Sequence, residues 1–379
     1  MQDRGDSCAL CAEPVGEAEV RAGAAASMPA ADGPHPAAPV AITMGDAAGI
    51  GPEIVVEVFR RRPEWSSRCV VIGDVAALRR AARASGGLLP MAELSGPAQA
   101  AMVPPRCVPV WPAVRLQRLP PFGTIDAAAG RAAADAVELA AEAALRGEVA
   151  AVVTAPLHKE ALAAAGLPYP GHTELLQAVA ARHLGCTPAE LPVRMMLSSP
   201  ELRTVLVSIH VPLRQAIEAV TTEAVWETLR ITHAHFTQRL RWPRCRIAVA
   251  GLNPHAGEGG LFGREDIEHI VPAVERARAA GWDVSGPHPP DTVFLRAREG
   301  AFDVVIAMYH DQGLIPVKYL GLAHGINTTL GLPFVRTSPD HGTAFDIAGR
   351  GVADPSSLMA AIDAALQAVQ PPAPVAVPQ

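Results

Sequence analysis

Three histidines stand just after apolar runs: His210 after "RTVLVSI", His255 after "RIAVAGLNP" and His310 after "FDVVIAMY". Neutral imidazole is the commonest protein ligand for a divalent metal, and three protein ligands with an open position describe a catalytic site. The three lie far apart in the chain, so no local motif such as HExxH certifies them, and any one alone is more often structural. The last opens "HDQGLIPVK", in which Asp311 and Gln312 follow the histidine directly and Lys318 comes shortly after. This stretch reads as a loop at the end of a strand.

Other residues have the types needed to hold an anion. In "GHTELL", His172 and Thr173 stand at a helix N-terminus, where free N–H groups favour negative charge. Simple capping by Thr173 is the plainer reading of the same residues. Lys318, Asn327 and Arg336 are candidates for a carboxylate or phosphate, although any one of them is equally at home in solvent. "DHGTAFDIAG" joins a His341–Gly342 turn, Thr343, Asp346 and a closing glycine into a backbone-rich loop suited to a ribose or pyrophosphate. "MGDAAGIGPEI" is a glycine-rich strand–loop–helix junction. It has neither the G-x-G-x-x-G spacing nor a Walker lysine, so a conventional dinucleotide or P-loop reading is rejected.

A frame must bring these residues together. Short apolar runs ("PVAITMG", "CVVIGD", "VAAVVTAP", "RTVLVSIH", "RIAVAG", "FDVVIAMY") alternate with helical patterns such as "GPEIVVEVFRRR" and "GRAAADAVELAAEAALRG". A kink is expected at Pro272 in "DIEHIVPAVERARAAG". Near-continuous apolar strands alternating with helices predict an α/β protein with a largely parallel, doubly covered sheet. The polar clusters fall just after the strands, and open α/β sheets bind ligands at the carboxyl ends of their strands.

Composition narrows the function further. The chain has 379 residues, 49% hydrophobic, enough for two α/β domains or one large one. Its net charge is -6 and no basic block runs along it, which excludes nucleic acid as a partner. No secretory apolar core or membrane-length run is visible, so a cytoplasmic setting is expected. Cys8 and Cys11 form a lone CxxC inside an Ala-, Gly- and Pro-rich extension, residues 1–38, expected to be disordered, with Met28 as an alternative start. Cys69, Cys107, Cys186 and Cys245 read as inert thiols in a reducing compartment.

Taken together, "MGDAAGIGPEI", "GHTELL", "GLNPHAGEGGLFGREDIEHI", "MYHDQGLIPVK" and "GLPFVRTSPDHGTAFDIAGRGVAD" resemble the 4-hydroxythreonine-4-phosphate dehydrogenase family, in order, across roughly residues 40–368. The loop "HGTAFDIAGRGVADP" is also similar to the cofactor loop of the isopropylmalate dehydrogenase group. The resemblance implies a two-lobed isopropylmalate dehydrogenase-like α/β fold with an interlobe cleft. Residues 39–145 and 325–379 would form the cofactor lobe, and 146–324 the lobe for metal, substrate and dimer contacts.

The implied activity is oxidation of 4-phosphooxy-L-threonine at C3, with decarboxylation to 3-amino-2-oxopropyl phosphate, in pyridoxal 5'-phosphate biosynthesis. It implies NAD or NADP and a divalent metal (Zn, Co, Mg or Mn), in a homodimer with active sites at the subunit interface. Carried over motif by motif, the metal falls to His210, His255 and His310, and the substrate to His172, Thr173, Lys318, Asn327 and Arg336. Catalytic roles fall to Lys318, Asp311 and Asp291, and the cofactor to His341, Gly342, Thr343 and Asp346. Ala47 and the pair Ser208–Ile209 depart from the family's pattern. They keep open a related dehydrogenase of D-threonate or D-erythronate 4-phosphate. A non-redox phosphate acyltransferase or a silent binding protein on the same scaffold are the readings from other classes.

Overall fold

Runs of β-branched and other apolar residues set the strands. The computed structural model describes residues 38–321 and 325–370, so the expectations for Cys8, Cys11, Met28 and their extension fall outside the described residues. The strands are β1 (Val40–Thr43), β2 (Cys69–Ile72), β3 (Met91–Glu93), β4 (Val108–Trp111), β5 (Ala151–Thr154) and β6 (Arg194–Ser198). They continue with β7 (Arg203–Leu206), β8 (Ile247–Ala250), β9 (Val284–His288), β10 (Val304–Ala307), β11 (Ile326–Leu330) and β12 (Val335–Pro339). Every residue of β1, β2, β5, β8 and β10 is buried. Burial without alternation marks strands covered on both faces, as parallel sheets are.

The described strands form one mostly parallel sheet in the order β3-β4-β2-β1-β5-β12-β11-β6-β7-β10-β8-β9. The six from β3 to β12 run parallel to one another. So do β7, β10, β8 and β9. Between these sets, β12–β11, β11–β6 and β6–β7 pair antiparallel. Three reversals leave the two parallel sets running in opposite directions. Beside the first set, one core gathers Ile54, Phe59 and Ile362, and another gathers Val137, Leu175 and Leu176. Beside the second, Leu229, Phe236 and Val274 form one core, and Val293, Leu314 and Val317 another. β5, which the sequence boundaries put with the second lobe, is hydrogen-bonded between β1 and β12. No helix among the described residues is long and apolar enough to cross a membrane.

Two stretches differ from the sequence expectation. "HDQGLIPVKY" is not a loop: His310 begins a ten-residue helix, His310–Tyr319, with Pro316 inside it. Gly313 and Pro316, both poor helix formers, hide it. The glycine serves packing, because a Cβ there would lie 2.4 Å from Leu206 Cδ2 and 2.9 Å from Ala307 Cβ. The helix therefore lies directly on β7 and β10, and the Gly313 carbonyl accepts a 3.0 Å hydrogen bond from Thr204 Oγ1. Upstream, the helix expected to kink at Pro272 is a wide π turn, Asp266–Ile270, running into the α-helix Val271–Ala279. The strands β11 and β12 carry little apolar sequence, yet Thr328, Thr329, Arg336, Thr337 and Ser338 are all buried in them.

Gly313→Ala tests the close seating of the His310 helix. Overpacking of a well-filled contact costs about 1–3 kcal/mol. Urea unfolding should show a loss of that size, with an unchanged m-value. An unaltered midpoint would mean that the helix is free to move off β7 and β10.

Candidate active site at the strand ends

The centre of the first strand set is polar. Arg336 projects from β12 with 2% exposure. Its Nη1 donates to Thr329 Oγ1 at 3.0 Å and its Nη2 to Thr154 Oγ1 at 2.6 Å, while Nε has no partner. No carboxylate pairs with it among the described residues. Burial pulls its pKa down to about 10, with nearby Glu174 opposing. His172, at the start of the helix His172–Leu184, keeps some exposed surface, but its Nε2 is occluded and unpartnered. Burial, and then the charge of Arg336, hold its pKa well below the usual histidine value, so the ring is neutral. A hydrogen bond to the Ala155 backbone opposes this. A buried guanidinium flanked by hydroxyls, a neutral imidazole and a helix N-terminus is suited to one ligand class, a compact anion. Thr173 is the next residue of that helix, and Asn327 lies on β11 opposite Ser338 and Leu197.

The histidines occupy the second set. β7, β10 and β8 are parallel neighbours, so His210, His310 and His255 all follow the same edge of the sheet. Ser208 Oγ donates to the Met308 carbonyl at 3.0 Å, zipping the segment after β7 to the one after β10. His210 and His310 consequently face each other with ring centroids 5.7 Å apart. They border a cavity of about 300 Å³ that is also lined by Ser208, Val211, Leu213 and Tyr309. Asp311 Oδ1 lies 2.7 Å from His310 Nδ1, which leaves Nε2 to point elsewhere. Burial lowers the His210 pKa, followed by Lys159 and His310, so this imidazole also favours its neutral, metal-ligating form.

His255 is not with this pair. It lies in a turn whose residues His255, Ala256, Gly257, Glu258 and Gly259 have φ of 51°, 54°, 80°, 43° and 65°. The left-handed region costs non-glycine residues roughly 1–2 kcal/mol each, and three of these five are not glycine. The His255 ring lies 5.8 Å from that of Phe262. Among the described residues no three His, Cys, Asp or Glu side chains come close enough to hold a metal ion. One chain thus supplies two facing imidazoles of the right chemistry, and a three-ligand set needs a third from elsewhere.

Several contacts join the two strand sets. Lys318, near the end of the His310 helix, forms a 2.6 Å ion pair with Asp340, just past β12. The charges that act on His210 include Lys159 and Glu174, which belong to helices following β5. Past β12, His341, Gly342 and Asp346 are exposed, while Thr343 is buried. The Thr343 carbonyl accepts from Ile50 N at 3.0 Å, and His158 stacks on Phe345 at 4.5 Å, so the loop is pinned against the glycine-rich segment after β1. Exposed backbone groups on a pinned loop fit the ribose or pyrophosphate of a dinucleotide. Asp291 is exposed just before the helix Val293–Arg298, and among the described residues it makes no hydrogen bond or ion pair.

Sequence reasoning missed Thr154, Thr329, Lys159, Glu174 and Asp340 as members of this site. It also missed Asp46, whose carboxyl is pushed up by burial and whose Oδ2 has no partner. Thr154 sits in the polar cluster "TAP" after a strand, which was the available signal.

Residues 65–365 match the family described as pyridoxal phosphate biosynthetic protein PdxA. A relative from Beijerinckia indica named 4-hydroxythreonine-4-phosphate dehydrogenase is 50% identical over 326 residues, covering 86% of this chain and 93% of the relative. A D-threonate 4-phosphate dehydrogenase from Salmonella typhimurium is 45% identical, covering 86% of this chain and 98% of the relative. The crystal structure of 4-hydroxythreonine-4-phosphate dehydrogenase from Klebsiella pneumoniae is 41% identical with a TM-score of 0.79, covering 88% of this chain and 99% of that one. The match spans both strand sets and both halves of the site, and on that basis the chain belongs to the pyridoxal phosphate biosynthetic protein PdxA family.

Proposed function

We propose that the protein is an NAD(P)- and divalent-metal-dependent dehydrogenase. It oxidises 4-phosphooxy-L-threonine at C3, and decarboxylation gives 3-amino-2-oxopropyl phosphate for pyridoxal 5'-phosphate biosynthesis. The observation that carries this reading is the buried Arg336, paired with hydroxyls rather than a carboxylate, beside neutral His172. A phosphate supplies the missing charge, and binding it fixes the reacting carbon at the far end of a short substrate.

In this reading Arg336, His172 and Thr173 hold the phosphate, and Lys318 and Asn327 contact the rest of the substrate. Lys318, paired with Asp340, would exchange a proton with it. Asp291 is a further acidic residue near the substrate. His210 and His310 would hold the metal, with Asp311 fixing the His310 ring. A divalent metal, when bound, lowers the pKa of an alcohol that ligates it and so eases hydride departure. The exposed loop of His341, Gly342 and Asp346, anchored by Thr343, would hold the dinucleotide, whose nicotinamide accepts the hydride.

The reading includes a homodimer. Leu213 beside the histidine pair, and Ile315 and Tyr319 along the His310 helix, are 60%, 61% and 90% exposed. Apolar residues gathered at a site rim are those an interface covers. His255 of a second copy would then complete the metal set. The cysteines Cys69, Cys107, Cys186 and Cys245 are free thiols, in keeping with the cytoplasm.

D-threonate 4-phosphate is the second substrate reading, favoured by the 45% identity to an enzyme of that name. NADH formation by metal-loaded protein on 4-phosphooxy-L-threonine, D-threonate 4-phosphate and D-erythronate 4-phosphate, side by side, decides between them. The highest kcat/KM should fall on the first, and a hundredfold preference for either acid would replace it.

Arg336→Ala should lower kcat/KM tenfold to a hundredfold, as expected for losing a hydrogen bond to a charged group worth about 1.5–3 kcal/mol. Metal content should stay normal, and the defect should shrink on an unphosphorylated analogue. An equal loss on both substrates would remove Arg336 from the phosphate.

His172 adds a pH dependence. Its folded pKa lies well below the unfolded value of about 6.5, so below that pH only the unfolded chain takes the proton. Its contribution is fully present above about pH 6.5 and falls with pH, at most about 1.4 kcal/mol per unit. Urea unfolding at pH 7 and pH 5.5 should show a smaller loss for His172→Gln than for the native chain. Parallel losses would mean that His172 titrates normally in the folded protein.

A further inference from the structure

The left-handed turn at His255 has no intrinsic reason to persist. Gly257 and Gly259 adopt positive φ freely, but His255, Ala256 and Glu258 do so against their side chains. Something must hold the entry to the turn, and the contacts converge on Asp266. This carboxylate is completely buried. Oδ1 accepts from Leu252 N at 2.8 Å, and Oδ2 accepts from Asn253 N at 3.2 Å and Asn253 Nδ2 at 2.9 Å. The same Asn253 amide also donates to Glu265 Oε2 at 2.8 Å.

The carboxylate is enclosed by glycines. A Cβ on Gly251 would lie 2.8 Å from Asp266 Oδ1, and one on Gly257 would lie 3.3 Å from Oδ2. The Gly251 carbonyl accepts from Gln312 Nε2 at 2.8 Å, while Gln312 Oε1 accepts from Met308 N at 2.7 Å. The grip on the His255 segment is thereby connected to the segment that presents His310. Neither Asp266 nor Gln312 touches a reacting group, so each can act only through what it holds.

We infer that Asp266 is a positioning residue that presets the left-handed His255 turn for metal binding, with Asn253 as its side-chain partner and Gln312 as its link to His310. The inference rests on the reading of His255 as a metal ligand. An asparagine at position 266 keeps the shape but faces N–H donors with an NH₂ group, so the turn loses its anchor rather than its residues.

The test uses the full-length protein stripped of metal and titrated with Zn²⁺ and with Co²⁺ against a competing chelator. Asp266→Asn should bind either ion about tenfold to a hundredfold more weakly, the usual effect of removing a group that orients a ligand. Hydrogen exchange in the metal-free protein should accelerate at the Leu252 and Asn253 amides. Val225→Ala, in the core behind this strand set, should lower the unfolding midpoint and leave metal affinity unchanged, which separates positioning from general stability.

His255→Ala distinguishes the two layers of the argument. If it binds metal as the native protein does, the ligand reading itself is wrong and the inference falls with it. If it loses metal while Asp266→Asn binds normally, only the positioning role is overturned. Should Asp266→Asn not fold, Asn253→Ala removes the side-chain donor and leaves the carboxylate in place. Weakened metal binding by that variant supports the inference, and native affinity overturns it.

Discussion

A guanidinium in the middle of a sheet is the constraint around which the rest of the molecule is arranged. Burying a charge is costly unless it is paired and hydrogen-bonded. Among the described residues Arg336 donates to Thr154 and Thr329, which satisfy two of its nitrogens, and no carboxylate is hydrogen-bonded to it, with Glu174 acting only as a nearby charge. An ion pair inside the fold would be the cheaper solution for stability, and it would also occupy the place of an anionic ligand. The neutral His172 fits the same arrangement, since burial first and then the charge of Arg336 disfavour a cation there.

The candidate site draws on both sides of the sheet's change of direction. Parallel sets carry their loops at carboxyl ends, and here the two sets run oppositely, separated by β11 and β6. Neither set alone holds the full chemistry. The first carries the buried Arg336 and the exposed loop at 341–346, and the second carries the histidine pair. Lys318 with Asp340, and His210 near Lys159 and Glu174, are the contacts by which the halves meet. Strands twist by roughly 20–25° from neighbour to neighbour, so a reversal spread over several strands turns the two sets relative to each other rather than leaving them flat.

What the sequence made legible follows from what local pattern can encode. The fully buried strands announced themselves as apolar runs, and the polar clusters after them fall at the strand ends where the candidate site lies. β11 and β12 escaped because most of their buried residues are threonine, serine and arginine, at a place where pattern expects valine. The His310 helix escaped because Gly313 is there to let it touch Ala307, a tertiary reason that reads locally as a break. Asp266 and Asp340 were silent for another reason. Each matters only through a partner that the fold brings to it, and one carboxylate among many carries no mark of that.

The family's two substrate names also have a physical basis in this geometry. Relatives named for 4-hydroxythreonine 4-phosphate and for D-threonate 4-phosphate lie at 50% and 45% identity. Both ligands present the same phosphate, so a receptor built from Arg336 and His172, as proposed, would not choose between them. The ligands differ at C2 in an ammonium against a hydroxyl, and also in configuration. A charge of that kind is discriminated by a carboxylate at the other end of the ligand, where a mismatch leaves a polar group unpaired. Glu174 acts electrostatically on both Arg336 and His210. On the proposed reading, discrimination between the two ligands has to come from groups other than Arg336 and His172, because those two meet only the phosphate that both ligands share.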